Sequence, residues 1–218
     1  FTPWKLPKWA IHRTIRNFAR CAKLSKEAGY DGVEIMGSEG YLINQFIASR
    51  TNKRTDEWGG AYENRIRFPL AVVRAIRDSV GDDFIIIFRL SMLDLVENGS
   101  TLEEVIHLAK ALEDVGVNII NTGIGWHEAR IPTIATMVPR GAFSWVTEKI
   151  KQEISIPTIT SNRINTPGVA EEILASGRAD MISMARPFLA DAYLVQKAKQ
   201  GKPESINVCI ACNQACLD

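Results

Sequence analysis

Three cysteines, Cys209, Cys212 and Cys216, crowd the last ten residues of a 218-residue chain whose only other cysteine is Cys21. Thiolates at this spacing are ligands for a soft metal centre, and the residues alone leave tetrahedral zinc and an iron–sulfur cluster equally open. A disulfide scaffold would spread its cysteines along the chain, and a chain of this size needs no stapling. The clustering therefore points to a metal site in a reducing compartment, here the cytoplasm. Cys21 sits on an amphipathic helical pattern, where a buried structural thiol is the expectation.

A second constellation is basic. Arg89, Arg163 and Arg186 each stand at the end of a short apolar run. One such arginine is as readily a packing residue as a ligand. Three at corresponding positions favour an anionic ligand, and Arg163 and Arg186 follow the last two runs, which points to a phosphorylated cofactor. Of the histidines, His12 precedes the first clear strand and His107 lies in a helical stretch. Only His127 falls in a loop after an apolar run.

The elements that must position these residues alternate. The apolar runs are 32–36, 84–90, 117–121, 156–161 and 180–185, rich in Ile, Val and Phe without polar alternation. That pattern predicts strands of a parallel sheet, buried on both faces. Helical patterns lie between them, over about 14–28 and 62–80. A third begins with a capping box, Ser100-x-x-Glu103, and places Leu102, Val105, Ile106, Ala109 and Leu112 on one face. Thr166-Pro167 opens a fourth. At each handover a glycine is followed by Asp or Asn: Gly29/Asp31, Gly81/Asp82, Gly116/Asn118 and Gly177/Asp180. Gly suits the left-handed residue that ends a helix, so the repeat reads as a βα unit, of a (β/α) barrel or an open doubly wound sheet. No G-x-G-x-x-G follows a strand, which disfavours a dinucleotide-binding unit. In both folds chemistry belongs beyond the carboxyl ends of the strands, where the three arginines emerge.

Composition excludes other classes. A formal net charge of +1, from 26 basic and 25 acidic residues, gives no support to nucleic-acid or membrane-surface binding. With 46% hydrophobic and 23% charged residues the chain is that of an ordinary globular domain, and no apolar run approaches a membrane span. It begins with Phe1 and carries no secretory signal pattern, which suggests a start downstream of its gene's own.

Longer stretches carry a resemblance. The segment from Asp31 to Phe46, the Arg50-x-Asn52-x-Arg54-x-Asp56-x-Trp58-Gly59-Gly60 and Glu63-Asn64-Arg65 motifs, Phe88-Arg89-Leu90-Ser91, the loop from Asn121 to Arg130, Ser161-Asn162-Arg163 and the run from Met184 to Phe188 together resemble the old yellow enzyme family of flavin-dependent reductases. The cysteine tail is similar to that of its multidomain iron–sulfur branch, and within it to the dienoyl-CoA-reducing members.

The resemblance implies FMN on a (β/α)8 barrel. Arg89 would meet the flavin pyrimidine edge; Arg163 and the Ala185-Arg186 segment would hold the phosphate. Tyr41 would be the proton donor and His127 its partner. Cys209, Cys212 and Cys216 would begin the ligand set of a [4Fe–4S] cluster. The implied reaction is reduction of the conjugated diene of a 2,4-dienoyl-CoA thioester during oxidation of unsaturated fatty acids, with electrons from NADPH passing through an FAD outside this chain and the cluster. Enoate reductases and amine dehydrogenases share the scaffold, and a non-catalytic truncated barrel is the reading from another class. Met36 and Glu39 stand where simple old yellow enzymes place the His and the His or Asn that bind a carbonyl oxygen, and Met36 cannot donate that bond.

The resemblance also reinterprets the length. The five runs become strands four to eight of the barrel, with three βα units upstream of Phe1. Residues 1–208 are then a partial FMN-binding barrel and 209–218 the start of a cluster segment. Such a sheet cannot close, and its first and last strands should present unpaired edges.

Overall fold

Each handover from helix to strand ends on a glycine with positive φ: Gly29 at 89°, Gly81 at 74°, Gly116 at 95° and Gly177 at 74°. The polar residue that follows has its own task at two of them. Asn118 Oδ1 accepts the Ile86 backbone N–H at 2.8 Å, and Asp180 Oδ2 accepts that of Thr158 at 2.8 Å. Each thereby satisfies a donor at the start of the neighbouring strand.

The computed structural model describes residues 4–214 and 216. Its elements are α1 (Lys8–Glu27), β1 (Gly32–Gly37), α2 (Leu42–Ile47), α3 (Tyr62–Arg65), α4 (Arg67–Val80), β2 (Ile85–Leu93), α5 (Leu102–Asp114), β3 (Ile119–Ile124), α6 (Ser144–Lys151), β4 (Thr158–Thr160), α7 (Pro167–Ala175), β5 (Met181–Ile182), α8 (Arg186–Ala190) and α9 (Leu194–Lys199). All strand pairs are parallel, in the order β1-β2-β3-β4-β5. This is the expected segment of a (β/α) barrel, and among the described residues β1 and β5 each have one neighbour. None of its helices is long and apolar enough to cross a membrane among the described residues.

The core lies between the sheet and the helices. Ile35, Ile86, Phe88, Leu90 and Ile120 pack with Phe68, Val72 and Ile76 of α4 and with Val105, Leu108 and Leu112 of α5. The opposite face of β1 and β2 is different: Glu34 is exposed, and Met36 and Ile85 are 39% and 40% exposed. These strands are therefore buried on one face, not both. A barrel's inner face is covered by the strands across from it, and five strands do not wrap far enough to supply them.

Other boundaries moved for local reasons. The first helix starts at Lys8, behind Pro7, and buries Ala10 and Ile11. The predicted helix over 62–80 is broken at Ile66 into α3 and α4. Pro69 lacks an N–H and its ring crowds the carbonyl four residues back, so the helix restarts with the proline in its first turn. The capping box is one residue later than predicted: the Thr101 side chain accepts the Glu104 N–H at 3.2 Å, and Glu104 Oε2 accepts the Thr101 N–H at 3.1 Å. Leu102 is accordingly turned out, and Leu108 joins Val105, Ala109 and Leu112 in the core. Cys21 is exposed, not buried, because the buried stripe of α1 runs through Ala22.

The shifted cap is testable. Thr101→Ala should lower unfolding free energy by about 1 kcal/mol. Ser100→Ala, which keeps the backbone N–H that Ser100 uses, should change it by less than about 0.5 kcal/mol. Urea denaturation of both variants measures the difference.

Candidate active site

Tyr41 and His127 come from the loops after β1 and β3, and their Oη and Nε2 atoms lie 2.8 Å apart. The rings meet edge to face, with centroids separated by 5.2 Å. Tyr41 is 47% exposed and His127 is exposed, so the pair faces outward from the strand-end rim. A phenol hydrogen-bonded to an imidazole is equipped to give up a proton and to have the resulting oxyanion stabilised.

The loop carrying Tyr41 is a tight left-handed reversal, with φ of 63° at Glu39 and 83° at Gly40. A β-carbon at Gly40 would stand 2.9 Å from the Trp126 ring, so only glycine allows this loop to lie on the one bearing His127. Asn44 Oδ1 accepts the Gly40 N–H at 2.9 Å, and Gln45 Nε2 donates to the Gly40 carbonyl at 2.7 Å.

Behind both loops lies Asp94, 3% exposed and just past the end of β2. Its Oδ1 accepts from Ser91 Oγ at 2.6 Å, Trp126 Nε1 at 2.9 Å and Asn44 Nδ2 at 3.4 Å, while Oδ2 accepts the Ser100 N–H at 2.7 Å. Sequence reasoning missed Asp94, Asn44 and Trp126. The only sequence signal was an acidic residue four positions beyond the apolar run 84–90.

The three arginines do converge. Arg89, Arg163 and Arg186, with Ala185, line one cavity of about 180 Å³ that also takes in Ser161 and Asn162. Arg89 is neutralised: its Nε and Nη2 donate to Glu39 Oε1 at 3.0 and 2.6 Å. Glu39, at a position already singled out in the sequence, thus serves as the partner of Arg89. The other two are not neutralised. Arg163 Nε donates to the Val138 carbonyl at 2.8 Å, and Arg186 Nη2 to that of Ile134 at 3.0 Å. Among the described residues neither forms an ion pair with a carboxylate. Burial, and then the Arg186 and Arg140 cations, hold the Arg163 guanidinium below the usual arginine value, with Cys209 acting in the opposite direction. Asn162 and Arg163 both have positive φ, 70° and 59°, at this loop. Crowded, uncompensated cations around a cavity are the donor set for a phosphate, so FMN fits these residues at its phosphate end.

Cys209 is half-buried at the cavity, whereas Cys212 and Cys216 are exposed. No group of three or more His, Cys, Asp or Glu side chains that could hold a metal forms among the described residues. The backbone of this stretch is pinned along the rim. Asn165 Nδ2 donates to the Cys209 carbonyl at 2.7 Å, Thr136 Oγ1 to those of Ile210 and Ala211 at 2.6 and 3.0 Å, and Arg186 Nη1 to Asn213. The stretch also turns: Ala211 and Asn213 have positive φ, 58° and 61°, and the Cys216 N–H donates to the Asn213 carbonyl at 3.4 Å. The end of the expected cluster segment, 217–218, lies outside the described residues.

One rim of the parallel βα sheet thus carries both the arginine-lined cavity and the Tyr41–His127 pair. Residues 2–205 match the NADH:flavin oxidoreductase / NADH oxidase family, and the chain belongs to that family. Membership implies an oxidoreductase working with FMN and a nicotinamide. A metal reductase from Desulforamulus reducens is 48% identical over 217 residues, covering 100% of this chain and 32% of that protein. An NADH oxidase from Thermoanaerobacter brockii is 41% identical over 209 residues, covering 95% and 32%. Among solved structures, the complex of 2-naphthoyl-CoA reductase with 2-naphthoyl-CoA superimposes with a TM-score of 0.95 at 38% identity, covering 97% of this chain and 32% of that one. The chain therefore spans about a third of the length of the relatives it matches.

Packing at Gly40 gives a prediction. Gly40→Ala should destabilise the protein by more than about 1 kcal/mol, since the added methyl meets both the left-handed backbone and the Trp126 ring. Thermal and urea unfolding check this; a change under about 0.5 kcal/mol would contradict the close stacking of the two loops.

Proposed function

We propose that the protein reduces a carbon–carbon double bond conjugated with a CoA thioester, with a 2,4-dienoyl-CoA as substrate and NADPH as the source of electrons. The observation that carries this reading is the 2.8 Å contact between Tyr41 Oη and His127 Nε2 at the strand-end rim. The likeness to a reductase in complex with an aromatic acyl-CoA supports a conjugated thioester as the substrate class.

FMN, when bound, supplies the hydride. The residues supply the rest. Arg163, Arg186 and the backbone at Ala185 would hold the phosphate, and Arg89, fixed by Glu39, would present its cation to the ring system. Tyr41 gives its phenolic proton to the substrate carbon that becomes electron-rich as hydride arrives at the far end of the diene. Hydride and proton together add two hydrogens, and no free carbanion has to persist. His127 Nε2, at hydrogen-bond distance, stabilises the tyrosinate until it is reprotonated. Met36, 39% exposed beside this site, offers no donor to a substrate carbonyl, in keeping with a substrate bound through other groups.

The name of the most identical relative reported above raises a second reading, plain electron transfer to a metal ion. Such a reaction protonates no carbon, and Tyr41 separates the two. In the full-length protein, Tyr41→Phe should lower kcat for dienoyl-CoA by about 10²- to 10⁴-fold and leave reduction of ferricyanide within about twofold. Survival of diene reduction with FMN still bound would overturn the assignment.

Arg186→Ala should weaken FMN by about tenfold to hundredfold while riboflavin, which lacks the phosphate, binds as before. Equal weakening of both would show that Arg186 does not serve a phosphate. Flavin fluorescence quenching provides the measurement.

A further inference from the structure

The Tyr41–His127 contact joins residues 86 apart in the sequence, and both residues are exposed. Exposed side chains on separate loops lose considerable rotamer freedom when held in one geometry, and a single hydrogen bond offsets little of that cost. The loops must therefore be set from beneath. Asp94 lies on neither loop yet is bonded to both. Through Asn44, which bonds Asp94 with its Nδ2 and the Gly40 N–H with its Oδ1, the carboxylate reaches the residue before Tyr41. Through Trp126 it reaches the residue before His127 twice, because the Asp94 carbonyl also accepts the Trp126 N–H at 3.0 Å. All four side-chain contacts of Asp94 are with donors, the acceptor-only pattern that a carboxylate fills and an amide cannot. The close approach is itself built in: a β-carbon at Gly99 would lie 2.6 Å from the Asp94 Cβ.

We infer that Asp94 is the positioning residue of the proton-donating pair. It fixes the separation of the Tyr41 and His127 loops and thereby the geometry of proton delivery. The inference rests on the reading of Tyr41 as the proton donor. Asp94→Asn is the direct test, because it preserves volume while turning one acceptor into a donor. Whichever way the amide is oriented, its Nδ2 then confronts either the Ser100 N–H or the group of Ser91, Asn44 and Trp126.

In the FMN-loaded, full-length protein, Asp94→Asn should lower kcat for dienoyl-CoA by about tenfold to hundredfold, since misplacement by about 1 Å costs on that order. KM and flavin content should be unchanged. In a Tyr41→Phe background the same substitution should cost nothing further, because both changes remove one proton delivery. Histidine ring ¹⁵N spectra of the protein without turnover, with His127 assigned by His127→Gln, should show its Nε2 leaving the hydrogen bond with Tyr41 in Asp94→Asn. Full additivity of the two substitutions, or an unchanged His127 spectrum, would overturn the inference. If Tyr41→Phe alone leaves diene reduction intact, the proposed function fails, while the spectra still decide whether Asp94 sets the pair. Should Asp94→Asn not fold, Trp126→Phe removes one donor to the carboxylate and is put through the same cycle and spectra, with the same outcomes deciding.

Discussion

Parallel strands deliver all their carboxyl ends to one rim, and the rest of this molecule depends on that constraint. β1 to β5 pair in chain order, in a register that sets Met36 opposite Arg89 and Arg89 opposite Asn121. A residue at the end of one strand then has the ends of the next strands as its neighbours, however distant they are in sequence. Arg89 near the end of β2 and the segments carrying Tyr41, His127, Arg163 and Arg186 could hardly avoid one another once the sheet formed.

What the rim does with those residues is an electrostatic sorting. Arg89 is paired with Glu39, so its positive charge is fixed in direction and largely compensated. Arg163 and Arg186 bond carbonyl oxygens instead, which orient the guanidinium groups without cancelling them. A cavity whose cations are held in place but left charged invites an anion, and the cost of crowding them falls when one binds.

Patterns that are local in the chain were legible. The glycine handovers, the apolar runs and the helix opening at Thr166-Pro167 all reflect turn chemistry or periodicity within a few residues, and each appears in the fold. Errors arose where one residue's neighbours in space outvoted its neighbours in sequence. Ser100 looks as good a cap as Thr101, but its N–H is taken by Asp94. The runs of β1 and β2 looked buried on both faces, as β3 and β4 are, because periodicity registers that a side chain is greasy and not whether anything covers it.

By itself the sequence determined the βα alternation, the rim on which chemistry belongs and, through its family-like motifs, the identities of Tyr41, His127 and the three arginines. These are properties of residue type and short-range spacing, which a chain carries whether or not it is folded. Only the tertiary structure decided that Tyr41 meets His127, that Glu39 neutralises Arg89 and leaves the other two arginines charged, and that Asp94 lies beneath both loops. A buried carboxylate is tolerable only where enough donors converge on it. Ser91 and Ser100 lie close to Asp94 in sequence, but Asn44 and Trp126 are 50 and 32 residues away and meet it only when the strands have set their loops side by side.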